Sequence, residues 1–267
     1  MSVSTVILEN RGMLECPRWH DGKLWFADWT SSEILSLDDS GVVKVATTAK
    51  APPLSFDFCP LGDMYVVAAG ASHLLQLRGS ELSDFAPYGS AGGYNEIVID
   101  AIGRIYVNGP AILLIDPDGS VEKQAEGFEF PNGMAISADR RTLVCAESWA
   151  RRLTAFDMGD DGRLSNRRIW ADLPGPPDGI CFDADDAIWY CDVPNACCRR
   201  VREGGEVLDE VKLDRGAFAC MLGGVDRRVL YITAAKWFGM EKMDQMGGTG
   251  QIQSVKVKMP GAGWPFG

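Results

Sequence analysis

One plan is written six times along this chain, and that repetition leaves few folds open to it. The clearest copy occupies residues 130–149. It opens with Pro131-Asn132-Gly133, a polar residue between a rigid φ and a permissive one, and runs into the short apolar strand Met134-Ala135-Ile136-Ser137. After a turn at Ala138-Asp139-Arg140-Arg141, residues 142–146 read as a second strand. Residues 152–157 read as a third, which ends in the turn Gly159-Asp160-Asp161-Gly162.

The plan recurs from Pro177-Asp178-Gly179, where Asp178 takes the place of Asn132, through residues 187–192 and 199–201. Looser copies begin at Glu15-Cys16-Pro17 and at Asn95-Glu96, and the weakest at Leu54-Ser55-Phe56 and Phe218-Ala219-Cys220. A period of roughly 35 to 50 residues, each unit holding about four strands, is the signature of a propeller. No long stretch carries helical periodicity. A single repeat cannot bury both of its faces, so the units must stack in a ring and share their cores. Val6-Ile7-Leu8 precedes the first copy without a partner there and is predicted to close the ring as a strand of the last blade. The expectation is an all-β, six-bladed β-propeller of four-stranded antiparallel blades, with residues 1–267 as a single domain.

A net charge of −11 argues against nucleic acid, which needs a basic face to neutralise phosphates. The pairs Arg140-Arg141, Arg151-Arg152, Arg167-Arg168 and Arg199-Arg200 lie at turns or strand ends among acidic residues and are read as a solvated rim. Apolar runs are too short for a membrane span, and the opening MSVSTVILEN has no basic stretch leading into a long apolar one, so a cytoplasmic protein is expected. Eight cysteines, mostly inside strands, are read as reduced apolar thiols. With no CxxC and only His20 and His73, a zinc site of ordinary spacing is not expected, and the vicinal Cys197-Cys198 pair is too isolated to make one.

In a propeller the innermost strands line a central channel, so the residue opening each inner strand faces one mouth. Those positions hold Glu15, Ser55 or its neighbour, Asn95, Asn132, Asp178, and Ala219 or Cys220. One such Asn or Asp would be read as a turn residue. Four oxygen donors at equivalent phases of a repeat are read as a ligand set, Glu15, Asn95, Asn132 and Asp178. Carboxylates and amides without histidine or thiolate suit calcium first, with magnesium and manganese close in chemistry and zinc as a further alternative. Four protein ligands leave coordination positions open, as a catalytic metal requires.

These residues carry a family resemblance. Leu14-Glu15-Cys16-Pro17-Arg18-Trp19 with Leu24-Trp25-Phe26-Ala27-Asp28, Asn95-Glu96 with Asp100 and Gly103-Arg104, Pro131-Asn132-Gly133 with Glu147-Ser148, and Pro177-Asp178-Gly179 with Ile188-Trp189 are joined by Gly223-Gly224, Leu230-Tyr231-Ile232-Thr233 and Gly250-Gln251-Ile252. Together they span nearly the whole chain, which resembles the senescence marker protein, gluconolactonase and luciferin-regenerating enzyme family, the one that includes regucalcin. The resemblance implies one divalent metal on Glu15, Asn132 and Asp178 with Asn95 beside it, hydrolysis of a lactone or related ester, and Asp178 as both ligand and general base. A carboxylate placed to touch both a metal and its water suits that double role.

Two departures shape the substrate expectation. Sugar lactonases of the family carry an Arg two residues before the Asn matching Asn95 and a Gly two after it, where this chain has Gly93 and Ile97. The segment after Val107-Asn108-Gly109-Pro110 is also short and lacks the family's glutamate-bearing insertion. A wider or more apolar pocket follows, with Trp149, Trp237 and Phe238 as wall candidates beside Asn95. Packing between blades is the other reading of those aromatics. Absence of GxSxG removes a nucleophile elbow. The Met- and Gly-rich stretch at residues 236–250 is a candidate pocket cover. A non-catalytic calcium- or ligand-binding propeller, or a metal-assisted hydratase or isomerase, are the alternative functions.

Overall fold

The computed structural model describes residues 4–38, 41, 43–48, 52–89 and 93–265, and in it the six repeats are six separate four-stranded antiparallel sheets. Their inner strands are Leu14–His20, Leu54–Phe58, Glu96–Ile99, Pro131–Ile136, Ile180–Phe182 and Gly216–Gly223. Each touches the next in chain order and the last touches the first, which makes the arrangement a six-bladed propeller. The N-terminal strand Thr5–Arg11 is the outermost strand of the sixth blade and pairs antiparallel with Gly250–Lys256, Thr5 opposite Ser254. Joining the two ends of the chain in one sheet ties the ring shut.

The alternation of side chains along each strand explains the core. In the fifth blade Ile188 and Tyr190 face the fourth blade's Ala135 and Val144, while Trp189 and Cys191 between them face the sixth blade's Met221 and Ile232. The same division places an apolar layer between every adjacent pair of blades. Trp189 is fully enclosed in one such layer, against which Trp19 also packs partly buried, and Trp25 packs partly buried against another. Each large side chain so buried contributes about 1.5–3 kcal/mol of transfer free energy.

Several arginines expected on a solvated rim instead hold buried carboxylates. Arg199 reaches Asp192 at 2.6 Å and Arg200 reaches Asp183 at 2.5 Å. Arg152 and Arg167 reach Glu147 at 3.0 and 3.3 Å. A carboxylate out of water must be paired, so these cations are structural. At the far end of the inner strands the C-terminal segment crosses underneath, pairing Gly261 with Asp183 and Trp264 with Ile136. Gly263 there has φ +67°, and a Cβ on it would stand 2.1 Å from the Ile136 carbonyl oxygen. Among the described residues no helix is long and apolar enough to cross a membrane.

Candidate metal and active site at the channel mouth

Local irregularities of the inner strands aim the four oxygen-bearing residues. In the first blade the ladder shifts register between Glu15 and Arg18, and in the fourth between Pro131 and Met134. A bulge of this kind inserts one residue and re-aims a side chain. Asn95 lies just ahead of its inner strand, its backbone N–H donating to Asn108 O at 2.7 Å. Asp178 is held likewise, its N–H donating to Cys191 O at 2.9 Å. All four residues line one cavity of about 530 Å³ at the mouth of the channel.

Gly133 and Gly179 follow two of these residues, and their role is space. Neither has a positive φ, contrary to the permissive backbone that Pro131-Asn132-Gly133 suggests. A Cβ on Gly133 would lie 2.7 Å from Asp178 O and Ile180 N, and one on Gly179 would lie 2.5 Å from the Ala219 Cβ. The inner strands converge so closely on the axis that only glycine fits between them.

Hydrogen bonds link the mouth from blade to blade. Asn95 Nδ2 donates to Asn132 Oδ1 at 3.4 Å, Asn132 Nδ2 to Ser148 Oγ at 3.4 Å, and Ser148 Oγ to Pro177 O at 2.6 Å. Asn108 Nδ2 donates to Asn132 O at 2.6 Å and fixes the turn that carries the amide. Glu15 is buried, and burial followed by repulsion from Asp178 and Glu96 holds its carboxyl well above the ordinary range. Burial and the Glu96 charge raise Asp178 in the same direction, against a hydrogen bond from Asn132.

Glu96 is the residue that sequence reasoning passed over. It is buried, lines the cavity, accepts from Ser55 Oγ at 2.9 Å and stands 3.5 Å from Arg18. The signal that could have found it was its position directly after Asn95, at the start of an apolar strand. Blade six also differs from expectation. Its inner strand bulges between Ala217 and Ala219, and the extra residue, Phe218, is the one that lines the mouth. Ala219 and Cys220 instead border a small cavity of about 10 Å³ deeper in the channel.

The remaining wall is apolar. Trp149 lines the rim stacked on Phe130 at 4.9 Å, and Trp237 lines it edge-on to Phe218 at 5.8 Å. Phe238 is exposed and stands outside the lining, because the chain direction at 236–239 turns Trp237 inward and its neighbour outward. Residues 236–250 form a cover containing a 3₁₀ segment, Met240–Met246, whose Met240 and Met243 reach the cavity while Met246 is buried. Gly93 also lines the cavity, so the place of the sugar-lactonase Arg bears no side chain.

The donor set fits a hard divalent cation. Its ligand atoms are all oxygens, and a cation among Glu15, Glu96 and Asp178 would turn their mutual repulsion into attraction. Arg18 is the buried cation beneath them, and it also serves Asp57 at 3.3 Å.

Relatives of this chain bear related names. It is 25% identical over 273 residues to the 6-deoxy-6-sulfogluconolactonase of Pseudomonas putida, covering 94% of each chain. It is 27% identical to regucalcin of Xenopus laevis, covering 97% of this chain and 96% of the relative. A solved structure of regucalcin from Agrobacterium tumefaciens, described as a calcium-binding protein, superposes with a TM-score of 0.81 at 18% identity over 97% of this chain and 95% of that one. The family described as the SMP-30/gluconolactonase/LRE-like region matches residues 13–236. The chain therefore belongs to the SMP-30/gluconolactonase/LRE-like family.

Proposed function

We propose that this protein is a divalent-metal-dependent hydrolase of a lactone or related ester with an apolar body. The observation that carries the reading is the juxtaposition at one mouth of Glu15, Asn95, Asn132 and Asp178 with a largely aromatic and methionine wall. Glu15, Asn132 and Asp178 would hold the ion, with Asn95 alongside. The ion supplies Lewis-acid polarisation of the ester carbonyl and charge to steady the developing oxyanion.

The chain's own groups do the rest. Asp178 takes a proton from the water that attacks the acyl carbon, as a carboxylate placed beside that water can. As the C–O ester bond breaks, that proton passes to the leaving alkoxide, and Asp178 returns to its starting form. Asn132 steadies the Asp178 carboxylate by its hydrogen bond. Trp149, Phe130, Trp237 and the 240–243 cover exclude water and bind the apolar part of the substrate. Gly93 offers nothing to clamp a sugar hydroxyl, which favours a less polar ring than gluconolactone.

The relatives named lactonase support this reading, and the calcium-binding regucalcin supports calcium as the ion or, alternatively, a binding propeller without turnover. A panel of lactones and aryl esters offered to metal-stripped protein, before and after calcium, manganese or zinc is restored, tests it. Turnover restored by an ion, greatest on alkyl or aryl lactones, is expected. Metal uptake without turnover of any member would replace the hydrolase by a binding propeller.

A further inference from the structure

Four of the eight cysteines lie in one place. The layer between the fifth and sixth blades contains Cys181, Cys191, Cys198 and Cys220, whereas the layers that contain Cys16, Cys59 and Cys145 hold one each. Cys191 and Cys198 are directly opposite on neighbouring strands of the fifth blade, and Cys220 comes from the inner strand of the sixth. Their three Sγ atoms all lie within 4.8 Å of one another, and Cys181 Sγ is 3.9 Å from Cys220 Sγ. All four are buried and none is in a disulfide.

We propose that Cys191, Cys198 and Cys220 form a second metal site, a buried trithiolate that takes one soft d¹⁰ cation such as copper(I). An apolar layer asks only for shape, and Ala or Val would fill it. Three thiols from three strands converging on one point meet a different requirement. An equilateral triangle of 4.8 Å edge has its centre about 2.8 Å from each corner, so a movement of about 0.5 Å per sulfur reaches the ~2.3 Å of a metal–thiolate bond. Side-chain torsions supply that without moving the strands. The set has no imidazole and no carboxylate, which selects a thiophilic ion over the hard cation of the mouth. Cys181, next to Cys220, is a fourth sulfur for an ion that prefers tetrahedral geometry.

The trio lies beside the channel. Cys220 borders the small axial cavity that Glu96 also borders, and Glu96 in turn lines the mouth cavity. Binding replaces three S–H bonds with sulfur–metal bonds and releases up to three protons to solvent, with no change of oxidation state.

The test uses the full chain, reduced and anaerobic, competing for copper(I) against a colorimetric chelator. One equivalent per chain is expected, with a near-ultraviolet thiolate-to-copper band. C191S, C198S and C220A should each lose the uptake and the band. C59S, in another layer, and D178N, at the mouth, should keep both. X-ray absorption at the copper edge of the unaltered protein gives a reading independent of whether any variant folds, and a shell of three sulfurs is expected. No copper taken from the chelator, uptake retained in C191S or C220A, or a shell of nitrogen or oxygen would overturn the proposal.

Discussion

Blades one, three, four and five differ from blades two and six at two positions, and the two go together. The first four open their inner strands at the mouth with Glu15, Asn95, Asn132 and Asp178, and end their second strands with Asp28, Asn108, Glu147 and Asp192. At the matching position blade two has Ser55, buried and outside the cavity lining, and blade six has Phe218, and their second strands end with Ala68 and Ala235. The register sets these positions side by side, with Leu14 opposite Asp28, Glu96 opposite Asn108 and Pro131 opposite Glu147. Leu54 opposite Ala68 and Gly216 opposite Ala235 are the unadorned equivalents.

The polar strand ends anchor the turns beside the mouth. Asp28 accepts from Arg11 Nε at 3.1 Å and from the N–H groups of Gly12, Thr30 and Ser31. Glu147 accepts from Glu129 N at 2.8 Å as well as from its two arginines and Thr154. Asn108 holds the Asn132 carbonyl. A blade that carries a candidate ligand therefore also carries a polar group that fixes a turn at the mouth, in its own blade or, for Asn108, in the next, and a blade without one carries alanine. The backbone plan is common, while the chemistry is written at two residues per blade.

The difference breaks hardest at Asp178. Asp178→Asn, which keeps shape and removes the base, is expected to cut lactone turnover by about 10²–10⁴-fold, while Ser55→Ala in blade two, which removes one hydrogen bond to Glu96 and no candidate ligand, costs about tenfold or less. Steady-state kinetics on the two variants measures this, and equal turnover in both would remove Asp178 from its role. Next in size is the anchor. Glu147→Ala strands its arginines and the Glu129 N–H and is expected to cost about 3 kcal/mol in denaturant unfolding. Ala68→Gly, at the matching end in blade two, should cost less than about 1 kcal/mol.

The smallest effect lies outside the comparison and shows its scale. His20 stacks on Phe58 at 3.9 Å, and burial lowers its pKa below the ordinary 6.5. A depressed folded pKa means that the unfolded chain binds more protons just below 6.5, so stability falls as pH drops through that value. His20→Phe keeps the stack and removes the titration. Thermal unfolding between neutral pH and about pH 5 should fall less in the variant than in the unaltered protein.

The propeller was legible because short apolar strands separated by turns recur at one period along the chain, and that period needs no tertiary knowledge. Glu15, Asn95, Asn132 and Asp178 were legible as the polar residues immediately ahead of apolar runs. A bulge is invisible in sequence, so Phe218 was missed in favour of its neighbours Ala219 and Cys220. Gly133 read as a residue of permissive φ, with Gly179 as its repeat, because the strand that crowds each belongs to another blade. The cysteine trio, at 191, 198 and 220, meets only through cross-strand pairing and blade stacking, and its spacing along the chain carries no motif. Arg199 and Arg200 looked like rim charges because Asp192 and Asp183 had no visible burial.

Calcium titration of metal-stripped protein by calorimetry, on the unaltered chain and on Asn132→Ala, Asp178→Ala and Ser55→Ala, tests the central claim most directly. One site per chain, kept in Ser55→Ala and lost in the other two, is the result the account predicts. Unchanged stoichiometry and affinity in Asn132→Ala and Asp178→Ala would contradict it.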